Sequence, residues 1–190
     1  GKMAGIETGD PRSFESYAVL YEAFNQQLNF IVDTKIRVSN YIDRMFAKYA
    51  PAPFLSVVIE DCISKGKDYY DGGPRYNTNY IQCTGLGTTT DSLAVLKKHV
   101  FDEKTFSMDR VLEAVGKNFE GEEFLRQTVL NKTPFFGNDD DYADDIALKV
   151  YHDLLDAIDG KPNVKGETFH LNMLSTTCHI YFGKVMGATP

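Results

Sequence analysis

The sequence has no tryptophan, and no apolar run in it approaches the roughly 20 residues that a membrane-spanning helix requires. Its start, GKMAGIETGDP, lacks the apolar stretch of a signal peptide. Cysteine is scarce. Cys62, Cys83 and Cys178 lie far apart, cannot all pair within one chain, and none belongs to a CxxC spacing, so a disulfide framework is excluded. These absences predict a cytoplasmic protein with reduced thiols. Basic residues are also in deficit: 20 Lys and Arg face 27 Asp and Glu, a formal charge of −7 and a pI near 5.1. Such a surface disfavours attraction to phosphate backbones and anionic lipid, so neither nucleic acid nor membrane is an expected partner.

What is present is enough for a core. The 190 residues are 43% hydrophobic and 13% aromatic, within the range of one domain. No repeat, low-complexity tract or linker divides them, so residues 1–190 read as a single segment. Ser13 is a candidate cap for a long helix. Apolar residues then recur at steps of four and three: Tyr17, Tyr21, Phe24, Leu28, Ile31, Val38, Ile42, Met45 and Tyr49, with Lys35 interrupting the stripe. The first breaker is Pro51. A helix of about 36 residues would be about 54 Å long and would overhang a globule of this size, roughly 42 Å across. Either a coiled-coil or bundle helix, or a helix covered by further protein, fits that length.

After Pro51, residues 54–64 read as a short buried helix, and YYDGGPRYN reads as an irregular loop. Residues 80–86 suit a strand, and Thr90 or Asp91 would cap the helix that follows through Leu93, Leu96 and Val100. Helices are predicted near 108–118, 122–130 and 142–158, the last ended by Gly160 and Pro162. Residues 168–174 and 176–182 suit strands. Strands separated by long helical stretches indicate parallel pairing, and about three of them make an incomplete sheet. The fold class is therefore α/β, rich in helix.

No constellation of residues names a reaction. GLGTTTDS (85–92), between a strand and a helix, could hold a phosphate on backbone amides, but it lacks a third glycine and a P-loop lysine, so a tight turn explains it better. The acidic run Asp139, Asp140, Asp141, Asp144 and Asp145 lacks the glycine and terminal glutamate of a calcium loop and suits the positive end of a helix. His170, Cys178 and His179 could be ligands or a thiol and base. Neighbouring strand residues face opposite sides, however, and Cys178 reads as a small buried hydrophobe. His99 and His152 read as helix-surface or core-edge residues. Glu60 and Asp61, adjacent on a helix, would point apart. No metal site is assigned.

Five strings resemble the glycyl radical enzymes, in that family's order and across essentially the whole chain: GIETGDPRSFESYAVLYEAFNQQL, GGPRYN (72–77), TTDSLAVLKKHVF (89–101), FGNDDDYADD (136–145) and FGKVMGATP at the end. GGPRYN differs from the more usual GGARYN at Pro74. Within the family, LNMLSTTCHIYFG (171–183) is most similar to trans-4-hydroxy-L-proline dehydratases.

The resemblance implies a slice of an α/β barrel of ten strands in two half-sheets, ringed by helices. It places the catalytic cysteine before this segment and the radical-bearing glycine after it. No catalytic residue is therefore assigned, and none of the three cysteines is given the radical role. Thr176 is the implied substrate contact, by hydroxyl or methyl; a packed strand position is the other reading. Arg75 and Tyr76 read as structural. No cofactor is bound by the segment; the parent enzyme would carry a glycyl radical installed by an S-adenosylmethionine-dependent, iron–sulfur activating enzyme. The expected partners are that enzyme, the remaining parent segments, a small-molecule substrate and a second copy in a homodimer. Alternatives are a pyruvate formate-lyase, a diol dehydratase, or, in another class, a non-catalytic scaffold.

Overall fold

A computed structural model describes residues 5–174 together with Tyr181 and Val185. Its helices are α1 (Tyr17–Tyr49), α2 (Pro53–Val58), α3 (Cys62–Lys65), α4 (Leu86–Val95), α5 (Met108–Gly116), α6 (Glu123–Lys132) and α7 (Asp141–Ile158). Two strands, β1 (Asn79–Gln82) and β2 (Phe169–Asn172), pair in parallel, with Asn79 opposite Phe169 and Ile81 opposite Leu171. The expected helix-rich α/β class and parallel pairing are both present. Thr176, Cys178, His179 and most of the strand expected at 176–182 lie outside the described residues. Tyr181, which is described, is helical rather than extended.

Helix α1 begins later than expected. Asp10 caps a short 3-10 turn, Pro11–Ser13, by accepting from Arg12 N. Ser16 then takes the role assigned to Ser13: its carbonyl accepts from Leu20 N at 3.2 Å and its hydroxyl from Val19 N at 3.4 Å. Residues 54–64 form no single buried helix. The chain breaks between α2 and α3, where Asp61 adopts a left-handed φ of 74°. Phe54 is 81% exposed and Ile63 72%; among these residues only Cys62 is buried. Helix α4 starts at Leu86 instead of after Thr90 or Asp91. Gly85, at φ 87°, makes the turn that a side-chain cap was expected to make. Asp140 does cap α7, its carboxylate accepting from Tyr142 N at 3.0 Å, so the acidic run serves a helix start as expected.

Two compact units divide the chain, and each has its own interior. One comprises Gln27–Cys83 and Leu154–Met173, with Ile81, Ile158 and Phe169 enclosed around the strand pair. The other comprises Ile6–Gln26 and Thr84–Asp153; in it Phe106, Val111, Ala114 and Leu125 form a buried cluster joined by Leu96, Val100, Phe119 and Val129. Helix α4 runs on without a break into a π-helical segment, Leu96–Asp102.

Candidate functional site

The GGPRYN loop lies in the first unit and is built from below by α3 and the turn Tyr69–Asp71. Gly73 has no room for a side chain: a Cβ there would meet the carbonyl oxygens of Lys67 and, at 2.7 Å, Asp68, and Cys62 Sγ at 2.8 Å. Gly72 combines a φ of 78° with a Cβ direction only 2.8 Å from Lys165 O. Both glycines are required by close backbone approach, and Gly72 also by its φ. Asn77 is buried, and its Nδ2 donates to Pro74 O at 2.8 Å and Gly72 O at 3.4 Å, closing the loop on itself.

Asp68 anchors the entry to the loop. Its carboxylate accepts from Ala52 N at 2.9 Å, Ser56 Oγ at 2.8 Å and Tyr70 N at 2.9 Å. Burial pushes this carboxyl up, but the Tyr70, Ser56 and Ala52 donors outweigh it and hold it below the ordinary aspartate value. Asp68→Ala is expected to cost about 2 kcal/mol, since three donors lose one acceptor. Because the folded value is depressed, this stabilisation is complete above the ordinary carboxylate value and is lost as pH falls through the folded one. Urea unfolding of both proteins across acid pH checks both points.

Arg75 is structural, as expected, though Glu60 and Asp61 do not point apart. Its guanidinium reaches Glu60 Oε2 at 3.0 Å and both Asp61 oxygens, at 3.0 and 3.2 Å, two residues within the break between α2 and α3. Tyr76 is 80% exposed, projecting from a loop that is otherwise tied down.

Sequence reasoning missed the residues that fasten this loop to β1. Asn163 Oδ1 accepts from Lys165 N and Glu167 N at 3.0 and 2.9 Å, while its Nδ2 donates to Asn77 O at 2.7 Å and Asn79 Oδ1 at 3.2 Å. Asn40 on α1 bonds Pro162 O and Val164 N, and Asp43 accepts from Asn79 Nδ2 at 2.8 Å. The available signal was Asn163 between Pro162 and Gly166, a setting in which an asparagine side chain mimics a turn. Glu167 is held below the usual glutamate range, first by the Thr78 hydroxyl at 2.7 Å.

An open cavity of about 280 Å³ beside the loop is lined by Asp43, Arg44, Ala47, Lys48, Tyr70, Asp71 and Val164. It holds charges of both signs and is lined by no cysteine, serine, threonine or histidine. Of the residues weighed as chemistry, His170 pairs with Asp159 through Nδ1 at 3.0 Å, and that carboxyl is held low chiefly by the Leu171 amide. Cys62 is buried; Cys83 is half-buried, and burial pushes its thiol up, away from a reactive thiolate. His152 is exposed, but His99 is buried, contrary to expectation. Among the described residues no three His, Cys, Asp or Glu side chains gather as a metal site, and no helix is long and apolar enough to cross a membrane. The site is a hydrogen-bonded wall with exposed aromatic residues, and its one described imidazole–carboxylate pair, His170 with Asp159, does not line the cavity.

A family model described as pyruvate formate lyase-like matches residues 1–183. The chain is 52% identical, over all of its length, to trans-4-hydroxy-L-proline dehydratase of Clostridioides difficile, of which it covers 24%. It is 34% identical over 96% of its length to (2S)-3-sulfopropanediol dehydratase of Klebsiella oxytoca, covering 22% of that protein. The structure of the C. difficile hydroxyproline dehydratase with trans-4-hydroxy-L-proline bound aligns over 98% of this chain and 24% of that one, with a TM-score of 0.91. The glycerol-bound B12-independent glycerol dehydratase of Clostridium butyricum, 32% identical, also gives 0.91, over 100% of this chain and 24% of that one. The chain thus spans about a quarter of the length of the relatives it matches.

Proposed function

The chain belongs to the pyruvate formate lyase-like family, and from that membership we propose that it forms a central segment of a glycyl radical enzyme that eliminates water from trans-4-hydroxy-L-proline. One observation carries the substrate class: identity to the hydroxyproline enzyme is well above identity to the sulfopropanediol and glycerol enzymes over the same residues. In this reading the radical, installed by an S-adenosylmethionine-dependent activating enzyme, supplies hydrogen-atom abstraction from substrate carbon. This segment supplies a wall of the container that keeps water and oxygen from it.

Its exposed surface suits that role. Tyr76, Tyr80, Phe54 and Ile63 stand open, and a parallel strand pair normally has both faces covered. The remaining parent segments are the proposed cover. Thr176, in the stretch following β2, is the proposed substrate contact. A homodimeric parent and a cytoplasmic setting belong to the same proposal.

The parent enzyme, activated without oxygen, is expected to convert trans-4-hydroxy-L-proline to a product one water lighter and to leave glycerol and 1,2-propanediol unchanged. Thr176→Val is expected to raise KM several-fold with a smaller change in kcat. Turnover of a diol in preference to hydroxyproline would instead support the diol dehydratase alternative. Acetyl transfer between pyruvate and coenzyme A would support a pyruvate formate-lyase, and no turnover of any kind a scaffold.

A further inference from the structure

The π-helical segment that follows α4 closes with Glu103 N donating at 2.8 Å to the carbonyl of Lys98, the fifth residue back. Within it His99 is only 1% exposed and packs against Phe106 with ring centres 6.0 Å apart. Its Nε2 lies 3.0 Å from Thr133 Oγ1. Its Nδ1, equally enclosed, has no hydrogen-bond partner, and the Glu103 carboxylate stands 3.7 Å away. Thr133 immediately follows α6 and opens the connection to α7. Three residues later the same connection is tied again, Phe136 N donating to Asp91 Oδ1 at 2.8 Å.

Whichever nitrogen carries the single proton of the neutral ring, the pair with Thr133 can form. A second proton leaves Nε2 able to donate to Thr133 Oγ1, but it places a positive charge inside the enclosure, which favours a state in which the ring reaches water. Both nitrogens would then be donors, and the Nδ1 proton would be buried with Glu103, a half-exposed carboxylate, within ion-pair reach at 3.7 Å but beyond hydrogen-bonding distance. We propose that the His99–Thr133 pair is a proton-released latch on the α6–α7 connection, closed while the imidazole is neutral and opened by acidification. The charged groups facing the ring are Glu103, which favours protonation, and Lys98 and Lys132, which oppose it; Thr133 and Phe106 carry no charge. Desolvation is the largest influence, and it leaves His99 below the ordinary histidine value. The unfolded or opened chain therefore binds the proton first. The latch is fully effective above about pH 6.5 and weakens as pH falls from there toward the folded value.

Hydrogen exchange of the 190-residue chain, followed by mass spectrometry and corrected for the intrinsic pH dependence, tests this between about pH 7.5 and 5.5. Protection of residues 133–140 is expected to fall by up to about tenfold per pH unit below about 6.5. It should stay flat in His99→Gln, whose amide can reach Thr133 without titrating. An equal acid response in His99→Gln, or none in the unsubstituted chain, would overturn the proposal. If His99→Gln does not fold, Thr133→Val decides. Residues 133–140 should then exchange rapidly at neutral pH with no further acid response, and protection like that of the unsubstituted chain would contradict the latch.

Discussion

Alanine at Gly73 is expected to destabilise the unit that holds the GGPRYN loop by about 3 kcal/mol or more, because the added methyl overlaps atoms that cannot step aside. Two of the three are carbonyl oxygens, of Lys67 and Asp68, and the third is the sulfur of buried Cys62. Asp68 is fixed by the donors from Ala52, Ser56 and Tyr70, so shifting its backbone would strain that cluster too. Gly66 provides the comparison within the same unit. A Cβ there meets nothing within 4 Å, and only its φ of 63° opposes a side chain. Gly66→Ala should therefore cost about 1 kcal/mol. Equal effects of the two substitutions in urea unfolding would mean that the packing beneath the loop is not as described.

Leu125→Ala is expected to cost the other unit about 3 kcal/mol, within the range for a core leucine whose surroundings cannot collapse into the space left. Leu125 is wholly buried on α6, in the cluster with Phe106, Val111 and Ala114. Leu130, on the same helix but 45% exposed, should lose well under half as much when replaced by alanine. Comparable losses at the two positions, measured by chemical denaturation, would contradict the placement of the core.

The elements that could be read from the sequence are those whose signal is periodic or punctuated. Helix α1 follows from its recurring apolar positions, α7 from Asp140 before it and Gly160 after it, and the loop from Gly72, Gly73 and Pro74. The features that could not be read depend on contacts distant in sequence. The break at Asp61 sits within an apolar stretch that looks like one helix, and it is Arg75, fourteen positions later, that pairs with Glu60 and Asp61 inside it. Gly85 replaces a side-chain cap because a left-handed residue can start a helix without one, and Thr90 and Asp91 carried the more familiar signature. His99 lies inside within a π-helical segment, a winding that leaves no mark on composition, and against Phe106 and Thr133, the second of which is distant from it in sequence. Asn163 fastens the loop to β1 from a region of sequence that reads only as a turn.

The burial expected of residues 54–64 fails for a related reason. Apolar composition indicates that a surface is to be covered, without saying which part of the protein covers it. In a chain spanning a quarter of its relatives, Phe54 and Ile63 remain open among the described residues. The proposal that further segments of a parent enzyme lie over them assigns these 190 residues a supporting part in radical chemistry, with the reacting groups elsewhere.

Electron paramagnetic resonance tests that division of labour most directly. The 190-residue chain and the parent enzyme would be incubated in parallel, without oxygen, with the activating enzyme and S-adenosylmethionine. The account predicts a glycyl radical signal from the parent and none from the chain; a backbone radical on the chain itself would contradict it.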